Sequence, residues 1–220
     1  MQVEQIAIYG AGGFGREVAF CIEDCYQAHG IIRAVCFIDD DQASHGKILN
    51  DIPIMGLGAA RENFPEAKVV SGVGSPQTRE RLMSKAAALG FKFSTVIHPR
   101  VERSRWIDIG TGTVICAGNL LTTNITLGRH VQINLDCTIG HDVVIGDYAT
   151  LAPGVHLSGC VQLGQRVYVG TGATIIHGTA ASPLVIGDDV VVGAAACVTK
   201  SVPAGLTVVG VPARPLKREE

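Results

Sequence analysis

Aromatic residues are scarce in this chain, at 5% of the total, with one tryptophan. Platforms that stack nucleobases need several exposed rings, so this poverty argues against a binder of single-stranded nucleic acid. Charge is thin as well: 17% of residues are charged and the formal net charge is −2. No block of Lys and Arg supplies the basic stripe that a phosphate backbone requires, so nucleic acid is not an expected partner. No apolar run approaches the roughly 20 residues needed to span a bilayer. The opening Met1-Gln2-Val3-Glu4-Gln5 lacks the basic and apolar regions of a secretory signal. A cytoplasmic protein with no membrane span is expected. The seven cysteines make no CxxC pair and no zinc-knuckle spacing. Cys21 and Cys25 sit i, i+4 on an expected helix, and Cys116, Cys137, Cys160 and Cys197 are scattered further on. They read as small buried residues.

What is present changes character near residue 98. Before it, apolar runs alternate with helical patterns: strands at 5–9, 32–38, 68–73 and 91–98, a short extended piece at 51–55, and helices at 14–28 and 76–89. Strands alternating with helices imply a parallel sheet. After it, every sixth residue from Ile109 to Ile175 is aliphatic: Ile109, Ile115, Leu121, Leu127, Ile133, Ile139, Ile145, Leu151, Leu157, Leu163, Val169 and Ile175. The column two residues earlier is small or β-branched, and the column one residue later is mostly glycine or another small residue. A six-residue unit of this kind is a short strand plus a tight corner. It cannot bury its inner face alone, so units must stack as a solenoid. Three units close a triangular coil, with coils spaced like paired strands at roughly 4.8 Å. The phase breaks once, between Ile175 and Ile186, so the stretch His177-Gly178-Thr179-Ala180-Ala181-Ser182-Pro183 is expected to loop out. The division expected is 1–98 for an α/β domain and 99–220 for the helix with its C-terminal tail.

The hexads resemble those of the hexapeptide-repeat acyltransferases, and Val208-Val209-Gly210-Val211-Pro212-Ala213-Arg214 looks like the segment that closes the helix in that superfamily. The front motif Gly10-Ala11-Gly12-Gly13-Phe14-Gly15, followed by Phe37-Ile38-Asp39-Asp40, narrows the resemblance. It is similar to bacterial sugar acetyltransferases of the sialic acid O-acetyltransferase and UDP-4-amino-sugar N-acetyltransferase group. The resemblance covers nearly the whole chain. It implies a left-handed parallel β-helix behind a Rossmann-like domain, assembly as a homotrimer, acetyl-CoA as co-substrate and no metal.

Acetyl transfer from a thioester needs a free nucleophile and a base to take its proton. His141 is the candidate base, two residues past the inward Ile139 and so near a projecting corner. In the family it resembles, a His followed by an acidic residue occupies this place, which gives Asp142 the role of orienting the ring. His177 lies two coils on at the same corner position, with Gly159 between them. The γ-class carbonic anhydrases share this helix and bind zinc through two His so spaced plus a third five residues later. Here that third position is Ser182, which leaves the zinc set incomplete. His130 and His156 read as surface residues, and His98 as structural. The resemblance places acetyl-CoA between subunits, against Thr150, Thr171, Gly193 and Ala194. Thr150 departs from the family, some members of which carry His there.

The front loop also matches GxGxxG between a strand and a helix, where backbone N–H groups approach a phosphate. Read alone, it suggests NAD with Asp39 on a ribose. A domain of about 98 residues is too short for two mononucleotide-binding halves, and the resemblance instead assigns a nucleotide-sugar to Gly12, Gly13, Phe14, Asp39, Asp40 and Gly74. Two functions stay open as enzymes: N-acetylation of a nucleotide-linked amino sugar, and O-acetylation of a sugar such as sialic acid. A third reading is an inert trimeric scaffold that senses a nucleotide, against which the His141-Asp142 pair argues.

Overall fold

The computed structural model describes residues 3–216 and divides into two compact units, Met1–Pro99 with Thr111–Val114, and Arg100–Gly110 with Ile115–Glu220. In the first, β1 (Glu4–Tyr9), α1 (Gly13–His29), β2 (Ile32–Ile38), β3 (Ile48–Leu49), β4 (Ile52–Met55), α2 (Leu57–Asn63), β5 (Lys68–Ser71) and α3 (Pro76–Ala88) follow in order. The sheet order is β3-β4-β2-β1-β5, parallel except for the β3–β4 hairpin. This is a Rossmann-like half. α1 buries Val18, Ala19, Cys21, Ile22 and Cys25, and β1 and β2 present Ile6, Ile8, Phe37 and Ile38, all buried. α1 ends at Gly30, whose left-handed φ of 67° lets its N–H reach Tyr26 O. Ser75 caps α3, with Pro76 at the first helical position.

One expectation fails here, and one element had no sequence signal. The strand expected over 91–98 shrinks to Val96–Ile97 and one bridge between Phe93 and Val69. Alternation stops because the chain leaves the sheet edge after a single rung. The helix Leu57–Asn63 was not anticipated; its seven residues bury only Ala60, too little to print a periodic stripe.

The second unit is a left-handed parallel β-helix. Two- and three-residue strands pair in parallel with their equivalents one coil on: Leu121 with Ile139, Ile139 with Leu157 and Leu157 with Ile175 on one face. Leu127, Ile145, Leu163 and Ile186 stack on the second face, and Ile133, Leu151, Val169, Val192 and Val208 on the third. From Ile115 onward the aliphatic column is at most 3% exposed, as a stacked interior demands. Between strands the chain turns through left-handed corners, and most of these residues are not glycine: Asn124, His130, Asp136, Asp142, Tyr148, Cys160 and Arg166 all have φ between 53° and 61°. The looped stretch is absorbed as an insertion. Leu163 pairs with Ile186, 23 residues on where 18 is the rule, and Thr179 and Ser182 close the excursion by exchanging backbone hydrogen bonds. Thr207–Val209 adds the last parallel strand, and Arg214–Pro215 folds back antiparallel on it to finish the stack.

His130 corrects the surface reading. It is 3% exposed and its ring stacks on Tyr148, one coil away, at 5.0 Å and 11° between planes. His156 is exposed and joined to Thr138 Oγ1 at 2.8 Å. His98 is buried with Nε2 2.8 Å from Asp24 Oδ2. All seven cysteines are free, six of them buried and Cys197 half-buried.

Candidate active site

His141 follows the strand Thr138–Ile139, at the corner where the first face gives way to the second. Its Nδ1 lies 2.7 Å from Asp142 Oδ2, and both side chains are open to solvent, 61% and 51% exposed. Asp142 sits at a left-handed corner, φ 59°, a conformation that Asp and Asn tolerate better than most side chains. Its other oxygen accepts a hydrogen bond from Asn124 Nδ2 at 3.2 Å. The bond to His141 first, and that to Asn124 second, hold the Asp142 carboxyl below its ordinary range. The carboxylate therefore stays charged and fixes the ring. With the Nδ1 proton directed at Asp142, Nε2 keeps its lone pair.

The ring needs space, and Gly159 supplies it. A Cβ built at Gly159 would stand 2.5 Å from His141 Nε2 and 2.6 Å from Cε1. The imidazole lies over the next coil, whose Cys160 N–H donates to the His141 backbone O at 2.9 Å. Cys160 adds a thiol to the corner. One ring nitrogen of His141, a carboxylate oxygen of Asp142 and Cys160 Sγ lie within 4.8 Å of one another. His177 is exposed at the same corner one coil beyond Gly159, at the start of the inserted loop.

The four expected coenzyme positions cluster elsewhere. Thr150 lies in a third-face strand, and Thr171, Gly193 and Ala194 at the corner after that face, so the first face separates them from His141 within one chain. Thr171 and Ala194 are exposed and Gly193 half-buried, whereas Thr150 is 1% exposed with its N–H bonded to Val167 O. Gly170 is required by packing, since a Cβ there would meet Ala194 N at 2.6 Å.

The front loop contains two kinds of glycine. Gly10, with φ 113°, Gly15 and Gly72 pack against one another: a Cβ at Gly72 would meet Gly15 Cα at 2.6 Å, and one at Gly15 would collide with Gly10 O. These let strand and helix approach. Gly12 and Gly74 would meet nothing within 4 Å, Gly13 only the tip of Arg16, and none of the three has positive φ. Phe14 is half-buried at the start of α1. Asp39 ties the loop to β2, accepting from Ala11 N–H at 3.0 Å and Asp41 N–H at 2.9 Å. Asp40 accepts from Lys85 Nζ at 2.6 Å and from Tyr9 hydroxyl at 2.7 Å. The Lys85 bond first, then that of Tyr9, lowers its pKa. Burial and the Asp40 bond raise the pKa of Tyr9.

Comparison with known proteins identifies the family. Residues 5–86 match the family model for the PglD N-terminal domain. The GDP-perosamine N-acetyltransferase of Escherichia coli O157:H7 is 34% identical over 96% of this chain and 96% of its own length. The chain belongs to the hexapeptide-repeat sugar acetyltransferases. Among solved structures, WeeI from Acinetobacter baumannii AYE is 36% identical with TM-score 0.89, covering 97% of this chain and 100% of its own. A variant of the perosamine N-acetyltransferase of Caulobacter crescentus with one histidine replaced by asparagine, in complex with CoA and GDP-perosamine, is 26% identical with TM-score 0.88, covering 99% of each chain.

Sequence reasoning about this sugar acetyltransferase missed Asn124, Cys160 and Arg79. The first two were findable: Asn124, Asp142 and Cys160 are spaced by 18 residues, one coil each. Arg79 gives no such signal. It is fully buried in α3, and its Nη1 donates to Val73 O at 3.0 Å and Gly74 O at 3.2 Å, setting the loop that carries Gly74.

Proposed function

We propose that this enzyme moves acetyl from acetyl-CoA to the amino group of a nucleotide-linked amino sugar, with His141 as general base. The observation that carries it is the exposed imidazole, hydrogen-bonded at 2.7 Å to a carboxylate and seated over Gly159. Nε2 takes a proton from the amine as its nitrogen attacks the thioester carbonyl. The tetrahedral species collapses by breaking the C–S bond, and the imidazolium returns its proton to the departing thiolate. Asp142 supports the imidazolium during the step. That N-acetyltransferases of perosamine share 34% and 26% of these residues over nearly the whole chain supports an amine acceptor.

In this reading the front domain, residues 1–98, holds the nucleotide. Three glycines that neither backbone conformation nor packing explains, Gly12, Gly13 and Gly74, leave room for a phosphate at the N-terminus of α1. We assign Phe14, Asp39 and Asp40 to the same ligand. The helix, residues 99–220, holds acetyl-CoA at Thr171, Gly193 and Ala194, with Thr150 behind them as support. Because these lie at a different corner from His141 within one chain, the reading joins them through a homotrimer, where one subunit's base faces its neighbour's coenzyme. Among the described residues no helix is long and apolar enough to cross a membrane. The cytoplasm, which supplies acetyl-CoA, is the compartment we assign.

A thiol-release assay with acetyl-CoA against UDP-, GDP- and dTDP-linked 4-amino sugars tests the reading, with sialic acid alongside. Coenzyme A release with one amino sugar is expected. Release with sialic acid alone would replace the reading with O-acetylation, and release that survives His141→Ala would remove His141 as base.

A further inference from the structure

We propose that His141, Asp142 and Cys160 bind a thiophilic divalent cation, zinc or cadmium, and that this cation inhibits the enzyme by occupying its base. The inhibition rests on the role given to His141 above; the binding does not. The three residues offer an imidazole nitrogen, a carboxylate oxygen and a thiol sulfur within 4.8 Å of one another. Two features of the fold bring them together. Asp142 and Cys160 occupy equivalent left-handed corners in successive coils, with φ of 59° and 56°. Gly159 lets the imidazole lie across onto the coil that carries the thiol.

Zinc bonds of about 2.0–2.3 Å in a tetrahedral site place neighbouring donors about 3.3–3.8 Å apart. His141 and Asp142, 61% and 51% exposed, are the ligands free to adjust, while Cys160 is 8% exposed. Solvent fills the fourth position. A set of thiolate, imidazole and carboxylate selects zinc or cadmium over magnesium and calcium, which prefer oxygen ligands throughout. On binding, the Cys160 S–H bond breaks, its proton passes to solvent and a sulfur–metal bond forms. The imidazole gives up a ring lone pair, either the one at Nε2 that receives the amine proton or, once the Nδ1 proton has passed by way of solvent to Nε2, the one exposed at Nδ1. Both routes silence proton transfer. The metal is an inhibitor here, not a cofactor, and the uninhibited enzyme works without it.

The test titrates the full-length protein with cobalt or cadmium and follows the thiolate-to-metal charge-transfer absorption, with zinc as competitor. The expected result is a saturable band of one equivalent that is lost in Cys160→Ser. In His141→Ala the affinity should fall by at least the roughly ten- to hundredfold that even outer-shell losses cost. With an acceptor in hand, zinc should inhibit the native enzyme and magnesium should not. Measured against its own uninhibited rate, Cys160→Ser should need about tenfold or more zinc for the same fractional inhibition. A band that persists in Cys160→Ser, as it would if half-buried Cys197 were the ligand, overturns the site. So does equal inhibition of both proteins. The absorption arm reads binding whether or not acetyl transfer is found, so the failure of one reading is visible apart from the other.

Discussion

The glycines of the front loop and the glycines of the β-helix meet different demands. In the loop, Gly10, Gly15 and Gly72 let one strand–turn–helix junction close up, while Gly12, Gly13 and Gly74 face open space. In the helix, Gly110, Gly128, Gly140, Gly146 and Gly164 each lie against the backbone or a corner side chain of the next coil, and the left-handed turns themselves are made largely by residues other than glycine. The solenoid therefore spends its glycines on stacking and leaves its corners free to carry Asp142, Asn124 and Cys160. The loop divides its glycines between packing and vacancy. In the reading proposed above, that vacancy is the place of the nucleotide-sugar. Gly159 belongs to both kinds, because the group it accommodates is the side chain proposed as the base.

Substitutions test that contrast. The largest effect is expected at His141. His141→Ala should lower kcat by about 10²–10⁴-fold with no change in urea midpoint, because the side chain is exposed; steady-state kinetics and an unfolding curve check it. Gly159→Ala should come next. Its methyl would displace the imidazole, so kcat should fall by about tenfold or more, and stability should hold because an exposed ring can swing away. A loss of stability as large as the loss of rate would mean that the coil, not the ring, needs the glycine. Gly15→Ala should destabilise the front unit by about 1–3 kcal/mol, since its methyl would meet Gly10 O. Gly13→Ala should leave the unfolding midpoint unchanged or slightly higher and raise KM for the nucleotide-sugar several-fold. If both alanines behave alike, the division of the loop into packing and ligand glycines is wrong.

The smallest effect concerns pH. Lys85 and Tyr9 depress the pKa of Asp40, so this network stabilises the fold above the unfolded carboxyl value of about 3.9 and the contribution disappears as pH falls through the lower folded value. Lys85→Ala should therefore cost a few tenths of a kcal/mol near neutral pH, with the difference from the native protein vanishing in acid. Denaturant midpoints at the two pH values measure it.

The repeat was legible in the sequence because one column of twelve aliphatic residues serves one purpose, burial, at a fixed period. The same arithmetic placed His141, Gly159 and His177 on one corner. It stopped at that corner: carried one coil either way from Asp142 it reaches Asn124 and Cys160, but nothing in a single hexad marks them. His130 was misread for the same reason: its partner Tyr148 is one coil on, and the stacked pair buries a ring that a lone corner histidine would expose. In the front unit, β1, β2 and α1 were readable from apolar runs and the glycine motif. Arg79 was not, because its partners are carbonyls, which no residue type announces.

The inserted loop after Ile175 carries a consequence for how such a chain can change. Its five extra residues leave Leu163 paired with Ile186 and Val169 with Val192 in unbroken register. Length at a corner is thus uncoupled from pairing along the faces, so insertions and deletions there are free of the penalty that a shift inside a strand would carry. Variation among descendants of this sequence should gather at that corner, beside His177, where a longer or shorter loop reshapes the surroundings of the base and leaves the stack beneath it untouched.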